Sequence, residues 1–96
     1  MYNISVIVPF YKGNKYLTGL KQSLEDACIS YEGKVEVIMV NDSPKEKIEK
    51  KLIQSEKYSL VIVEHDVNYG IHKARVTGIG KAKGEYVLLL DQDDKI

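Results

Sequence analysis

The sequence lacks the features that mark secreted, membrane-spanning and nucleic-acid-binding chains. Cys28 is the single cysteine, which excludes an intrachain disulfide and fits a reducing compartment. No apolar run approaches the roughly 20 residues that a membrane span requires, and strand-like sequence rather than a signal peptide follows Met1. Fourteen basic residues balance fourteen acidic ones, so bulk charge attracts neither nucleic acid nor anionic membrane. These absences predict a cytoplasmic globular domain.

The 96 residues, 44% hydrophobic and 29% charged, are enough for one small domain. Runs rich in Val, Ile and Leu predict four strands buried on both faces, at residues 4–8, 35–40, 60–63 and 86–90. Three helices are predicted between them. The first carries an apolar stripe from Leu17, the second begins at the capping-box spacing of Ser43 and Glu46, and the third covers 71–83 and ends at Gly84. This alternation predicts an α/β fold with a parallel sheet.

The last predicted strand runs directly into three carboxylates, Asp91, Asp93 and Asp94. Open α/β sheets bind their ligands at the carboxyl ends of the strands. Asp91 and Asp93 share one face of an extended chain, where charges about 6 Å apart repel by roughly 1–3 kcal/mol. A hard divalent cation would offset this repulsion, so the cluster predicts a metal site. The alternative is a hydrophilic turn after a buried strand.

Two common phosphate-binding loops are absent from the sequence. The first strand-to-helix turn has no G-x-G-x-x-G, and the segment from Gly78 to Lys81 lacks the glycine spacing and the Ser or Thr of a P-loop. Any phosphate ligand is therefore expected to be held through a metal ion.

The segments that follow the strands of a parallel sheet meet at one edge. Tyr11 follows the first strand, Asp42 the second and Asn68 the third. An aromatic ring can stack on a base, and a carboxylate can accept hydrogen bonds from a base or a ribose, so this edge predicts a nucleotide pocket. The alternative is that Asp42 and Asn68 are turn residues and that Tyr11 packs on the surface.

Four stretches, taken in order, resemble the N-terminal half of the nucleotide-binding region of family 2 glycosyltransferases, which have the GT-A fold. They are Val8-Pro9-Phe10-Tyr11, Val40-Asn41-Asp42-Ser43, Asn68-Tyr69-Gly70 through Ala74-Arg75, and residues 82–86 leading into Leu90-Asp91-Gln92-Asp93-Asp94. The resemblance implies a Rossmann-like three-layer α/β/α fold with a four-stranded parallel sheet in the order 3-2-1-4. Residues 1–96 would be an incomplete GT-A domain.

The resemblance also implies ligands and site residues. The metal-binding acids are Asp91, Asp93 and Asp94, with Mn²⁺ or Mg²⁺ as the ion. The donor, most commonly a UDP-sugar in this family, is bound by Pro9, Tyr11, Asp42, Asn68, Arg75 and Asp91. The acceptor is a glycan or a lipid-linked molecule, and the parent protein could work at the inner face of a membrane. The family's catalytic base lies beyond residue 96, so no catalytic residue is expected in this chain. Asn41, Ser43 and Val76 depart from the family pattern, which weakens the assignment of the sugar and the base.

Other functions fit some of these features. A phosphohydrolase of the HAD type also follows an apolar strand with Asp-x-Asp, but on its first strand rather than its fourth. A non-catalytic alternative is a nucleotide-binding domain that forms a homo-oligomer through the exposed edge of the fourth strand. His65 and His72 lack the spacing of zinc ligands, and Cys28 is expected in the core.

Overall fold

The computed structural model describes residues 2–29 and 31–92. They form a parallel four-stranded sheet in the order β3-β2-β1-β4, with β1 at Ile4–Phe10, β2 at Val35–Asn41, β3 at Ser59–Glu64 and β4 at Tyr86–Leu89. A 3-10 turn at Asn14–Tyr16 leads into helix α1 at Leu17–Ile29, and helix α2 occupies Ile71–Lys81. The predicted fold class and the strand order 3-2-1-4 are confirmed.

The two central strands are buried between the two helices. On one face of the sheet, Leu20 and Leu24 of α1 pack in a cluster that includes Val6 and Val8 of β1. On the other face, Ala74 of α2 packs in a smaller cluster with three strand residues, Ile7, Ile38 and Val40. Alternate residues of β1 and β2 thus meet opposite helices, which is why both strands read as continuous apolar runs.

Two glycines allow close packing around α2. A Cβ atom at Gly78 would lie 2.3 Å from Cγ2 of Ile7, so a side chain at this position would push the helix away from β1. Gly84 does not end the helix as predicted, because α2 ends at Lys81 and Ala82 already has extended backbone. A Cβ atom at Gly84 would lie 2.7 Å from the backbone nitrogen of Ser5, so the absence of a side chain here lets the segment before β4 approach β1 closely.

The helix predicted to begin at Ser43 does not form. Ser43 does not cap a helix through its side chain, because its Oγ accepts a hydrogen bond from the backbone N–H of Lys12 (2.7 Å). The N–H of Glu46 donates instead to the carbonyl of Ser43, which closes only a turn (3.1 Å). The one helical segment between β2 and β3 is a 3-10 turn at Lys50–Leu52.

Asparagine side chains hold the segment that the helix was predicted to occupy. Asn41 Nδ2 donates to the carbonyl of Glu46 (2.8 Å), and Asn14 Nδ2 donates to the carbonyl of Lys47 (3.0 Å). Asn14 Oδ1 accepts from the N–H of Glu49 (3.2 Å). These bonds satisfy backbone groups that would otherwise require the helix, so tertiary contacts outweigh the local capping signal.

Strand β4 is exposed, although its sequence predicts burial on both faces. All four of its residues are exposed, from Tyr86 at 71% to Val87 and Leu88 at 44% each. The reason is its place at the edge of the sheet, since among residues 2–29 and 31–92 β4 pairs with β1 alone and both core clusters draw their strand residues from other strands. Neither helix in the described part of the chain has the length and apolarity to cross a membrane.

Candidate functional site

A cleft of about 400 Å³ lies at the carboxyl edge of the sheet. Its lining comes from the end of β1, from the segments after all four strands and from the start of α2: Pro9, Phe10, Tyr11, Asp42, Asn68, Gly70, Ile71, Ala74, Asp91 and Gln92. Five of the six predicted donor-binding residues are therefore brought together in one place. The sixth, Arg75, is not among the described lining residues but contacts one of them, Asp91. Their role in binding stays a prediction.

The side chain of Asp42 accepts three hydrogen bonds at the wall of the cleft. Its Oδ1 accepts bonds from the backbone N–H of Tyr69 and from Nδ1 of His65, and its Oδ2 accepts one from the N–H of Gly70, each 2.8 Å long. Burial would raise the pKa of this carboxyl, but the bonds from His65, Tyr69 and Gly70 outweigh burial and lower the pKa below its ordinary value. Asp42 is thus an ionised acceptor at the wall of the cleft.

The loop after β3 is shaped so that its N–H groups point at Asp42. Gly70 has φ 94° and ψ 164°, which a side chain would strain, and its N–H is shared with Asn68 Oδ1 at 3.0 Å. Asn68 is therefore a turn residue, as the alternative interpretation of the sequence predicted, and it also lines the cleft.

His65 links Asp42 to helix α2. Its ring Nε2 lies 2.8 Å from Oγ1 of Thr77, and its Nδ1 lies 2.8 Å from Asp42. The ring of Tyr69 meets the imidazole edge-on, with 5.1 Å between centroids. Sequence reasoning rejected His65 as a zinc ligand, because it lacks ligand spacing, and gave it no other role. The signal that could have found it is its position directly after β3, at the same edge as Asp42.

Gln92 joins the loops that follow β1 and β4. Its Oε1 accepts from the backbone N–H of Tyr11 (2.8 Å) and its Nε2 donates to the carbonyl of the same residue (3.1 Å). Lys12, the residue after Tyr11, has a positive φ of 48°. A side chain at Gly13 would collide with Gln92. Tyr11 is 44% exposed, and Lys12 Nζ lies 5.4 Å from the centroid of its ring. Sequence reasoning assigned no role to Gln92 and missed this contact.

Asp91 forms an ion pair across the edge of the sheet with Arg75 of α2. Nη2 of Arg75 donates to Oδ1 of Asp91 at 2.9 Å, and both side chains are partly exposed. Arg75 Nε is buried and has no hydrogen-bond partner among the described residues. Part of the charge compensation that the acid cluster requires is thus supplied by the protein itself.

The predicted metal site lies mostly outside the described residues. Asp93 and Asp94 fall beyond residue 92, so only Asp91 of the three predicted ligands is described. Within residues 2–29 and 31–92, no group of three or more His, Cys, Asp or Glu side chains is arranged to hold a metal ion. The donor chemistry of the three carboxylates fits a hard divalent cation.

Comparisons with known proteins identify the family. The model described as Glycosyl transferase family 2 matches residues 5–96, and the chain belongs to this family. The match gives no support to a HAD-type phosphohydrolase.

Individual relatives fit this assignment. The chain is 34% identical over 98 residues to the minor teichoic acid biosynthesis protein GgaB of Bacillus subtilis (strain 168), which covers 99% of this chain and 11% of that protein. S. aureus TarS 1-349 in complex with UDP has a TM-score of 0.82 and 34% identity, covering 98% of this chain and 28% of that one. Its complex with UDP-GlcNAc has a TM-score of 0.81 and 32% identity over 98% of this chain and 27% of that one. The chain spans only 11–28% of the length of these relatives.

Proposed function

We propose that this chain is the donor-binding part of a metal-dependent glycosyltransferase that uses a UDP-sugar. The observation that carries the proposal is the cleft at the carboxyl edge of the sheet, whose lining includes an ionised Asp42, an exposed Tyr11 and Asp91. The similarity to TarS, which was crystallised with UDP and with UDP-GlcNAc, supports a uridine nucleotide and makes UDP-GlcNAc the first donor to test.

Each residue of the cleft has a role that its position allows. Asp42 accepts a hydrogen bond from the base or the ribose, and Tyr11 stacks on the base. Pro9 and Asn68 also line the cleft. Gln92 holds the Tyr11 backbone and thereby orients the aromatic ring.

The diphosphate lies at the Asp91 end of the cleft in this proposal. Asp91, Asp93 and Asp94 would hold Mn²⁺ or Mg²⁺, which when bound acts as a Lewis acid that stabilises the leaving diphosphate. Arg75 orients Asp91 through their ion pair and adds positive charge beside the acids. We assign no catalytic base to this chain, so it binds and orients the donor without completing the transfer.

The acceptor and the cellular location also belong to the proposal. The name of GgaB, a teichoic acid biosynthesis protein, favours a glycan or lipid-linked hydroxyl as the acceptor. Cys28 is a free thiol, which is consistent with a cytoplasmic location.

Isothermal titration calorimetry of the 96-residue chain tests the donor. We expect UDP and UDP-GlcNAc to bind, and Mn²⁺ to tighten both. GDP serves as the matched control, because it carries the same diphosphate on a different base. The absence of binding heat for UDP, GDP and dTDP in the presence of Mn²⁺ would contradict the proposal.

A second proposal concerns association between copies of this chain. Apolar residues of β4, Tyr86 to Leu89, are exposed at a sheet edge, and an exposed apolar edge strand can pair with the same strand of a second copy. We expect light scattering to show mass above the monomer at high concentration, and Leu88→Lys to reduce it because charge on an edge opposes pairing. A monomer at all concentrations would contradict self-association.

A further inference from the structure

We propose that His65 is a positioning residue that determines the base selectivity of Asp42, by occupying an acceptor position that a second ligand donor would otherwise use. The inference rests on the proposed function, because it concerns how the same cleft chooses its nucleotide. It is carried by the nearly buried contact between His65 and Asp42, whose side chains are 8% and 5% exposed.

The hydrogen-bond partners of His65 determine which ring nitrogen carries the proton. A carboxylate can only accept, so the short contact with Asp42 requires a hydrogen on Nδ1 of His65. Nε2 faces the hydroxyl of Thr77, which donates to a neutral imidazole and accepts from a protonated one. The bond from Nδ1 to Asp42 is therefore satisfied in both protonation states of the ring.

The acceptor capacity of Asp42 is nearly used up by the protein. An ionised carboxylate has about four acceptor positions, two on each oxygen. His65 and the Tyr69 N–H occupy both positions on Oδ1, and the Gly70 N–H occupies one on Oδ2. The described part of the chain thus leaves one position, on Oδ2, for a ligand donor.

A single free acceptor suits one kind of base. Uracil presents one N–H, at N3, between two carbonyl groups, whereas guanine presents two adjacent N–H groups that pair with both oxygens of a carboxylate. The donors from Tyr69 and Gly70 are backbone N–H groups, which most substitutions would retain. Among the described donors to Asp42, His65 is therefore the one whose hydrogen bond depends on the identity of the side chain. Its presence on Oδ1 disfavours the two-donor edge of guanine and leaves the one-donor edge of uracil accommodated.

The test is the ratio of UDP to GDP affinity, measured by calorimetry with Mn²⁺ in wild type and variants. His65→Ala is expected to reduce the preference for UDP about tenfold, the effect of one hydrogen bond of about 1.4 kcal/mol. His65→Asn retains an N–H near the place of Nδ1 and is expected to keep most of the preference. His72→Ala, a change of the exposed histidine on α2, is the matched control and should leave the ratio unchanged.

A second measurement does not depend on a variant that folds. Nitrogen chemical shifts of wild-type His65 should show the Nδ1–H tautomer at neutral pH, and the Nε2–H tautomer would overturn the proposal. An unchanged UDP to GDP ratio in folded His65→Ala would also overturn it while leaving the proposed function intact. If wild type binds UDP with no preference over GDP, the inference fails alone; if wild type binds no nucleotide, the proposed function fails and the inference with it.

Discussion

The two ends of the sheet each bury a carboxylate on or next to β2, and the two are used differently. At the amino end, Glu36 is 2% exposed and its Oε2 accepts bonds from Ser5 Oγ and from the backbone N–H of Lys83, both at 2.6 Å. Gly84 N–H in turn donates to Ser5 Oγ at 2.8 Å. At the carboxyl end, Asp42 is 3% exposed and accepts from the loop after β3.

The difference between the two carboxylates is access rather than burial. Glu36 lies beneath the connection between α2 and β4, and its Oε2 accepts hydrogen bonds from the Ser5 hydroxyl and the Lys83 N–H. Asp42 makes the same kind of bond to backbone N–H groups but also forms part of a cleft wall. Both buried acids hold a loop. Glu36 is therefore a structural residue, whereas Asp42 is also a candidate ligand-binding residue.

The largest expected effect is the loss of stability in Glu36→Ala. This change leaves the Ser5 hydroxyl and the Lys83 N–H without their acceptor, and each unsatisfied buried donor costs about 1–3 kcal/mol. We expect the free energy of unfolding, measured in urea, to fall by about 2–4 kcal/mol. Glu36→Gln keeps one acceptor oxygen and should lose less. A Glu36→Ala chain as stable as wild type would show that this network does not stabilise the amino end.

The next effect separates the two ends by function. Asp42→Asn and Glu36→Gln are the same chemical change at matched burial, the replacement of a carboxylate by its amide. We expect Asp42→Asn to weaken UDP binding about tenfold to hundredfold, since a hydrogen bond to a charged group contributes about 1.5–3 kcal/mol. Glu36→Gln should leave the UDP dissociation constant unchanged under conditions in which the variant is folded. Equal losses of affinity in the two variants would mean that Asp42 acts only through the fold.

Sequence reasoning predicted the parts of this molecule that depend on local pattern and on the order of elements. The apolar runs predicted the strands, the parallel sheet predicted that Tyr11, Asp42 and Asp91 meet at one edge, and the resemblance implied the strand order. The predicted helix at Ser43 was wrong, because the neighbouring Asn41 and the distant Asn14 both bond to its backbone groups, and the bonds from Asn14 span more than 30 residues. Such long-range contacts leave no local pattern.

The same limit explains which site residues were missed. His65 and Gln92 contact residues 23 and 81 positions away in the chain, Asp42 and Tyr11 respectively. Their side chains act on other side chains or on backbone and not on an expected ligand. Neither has a motif of its own, so only the folded geometry shows what they do.

The smallest expected effect is the acid dependence of the bonds to Asp42. Because the folded-state pKa of Asp42 lies below its ordinary value of 3.8, ionised Asp42 stabilises the fold at any pH above that value, and the contribution is lost as the pH falls through the folded-state pKa. The difference in urea midpoint between wild type and Asp42→Asn should therefore persist at pH 5 and shrink below pH 3.8. Loss of the difference already at pH 5 would mean that the bonds from His65, Tyr69 and Gly70 do not outweigh burial, and that Asp42 enters the cleft as a neutral acid able to donate to a ligand rather than only accept from one.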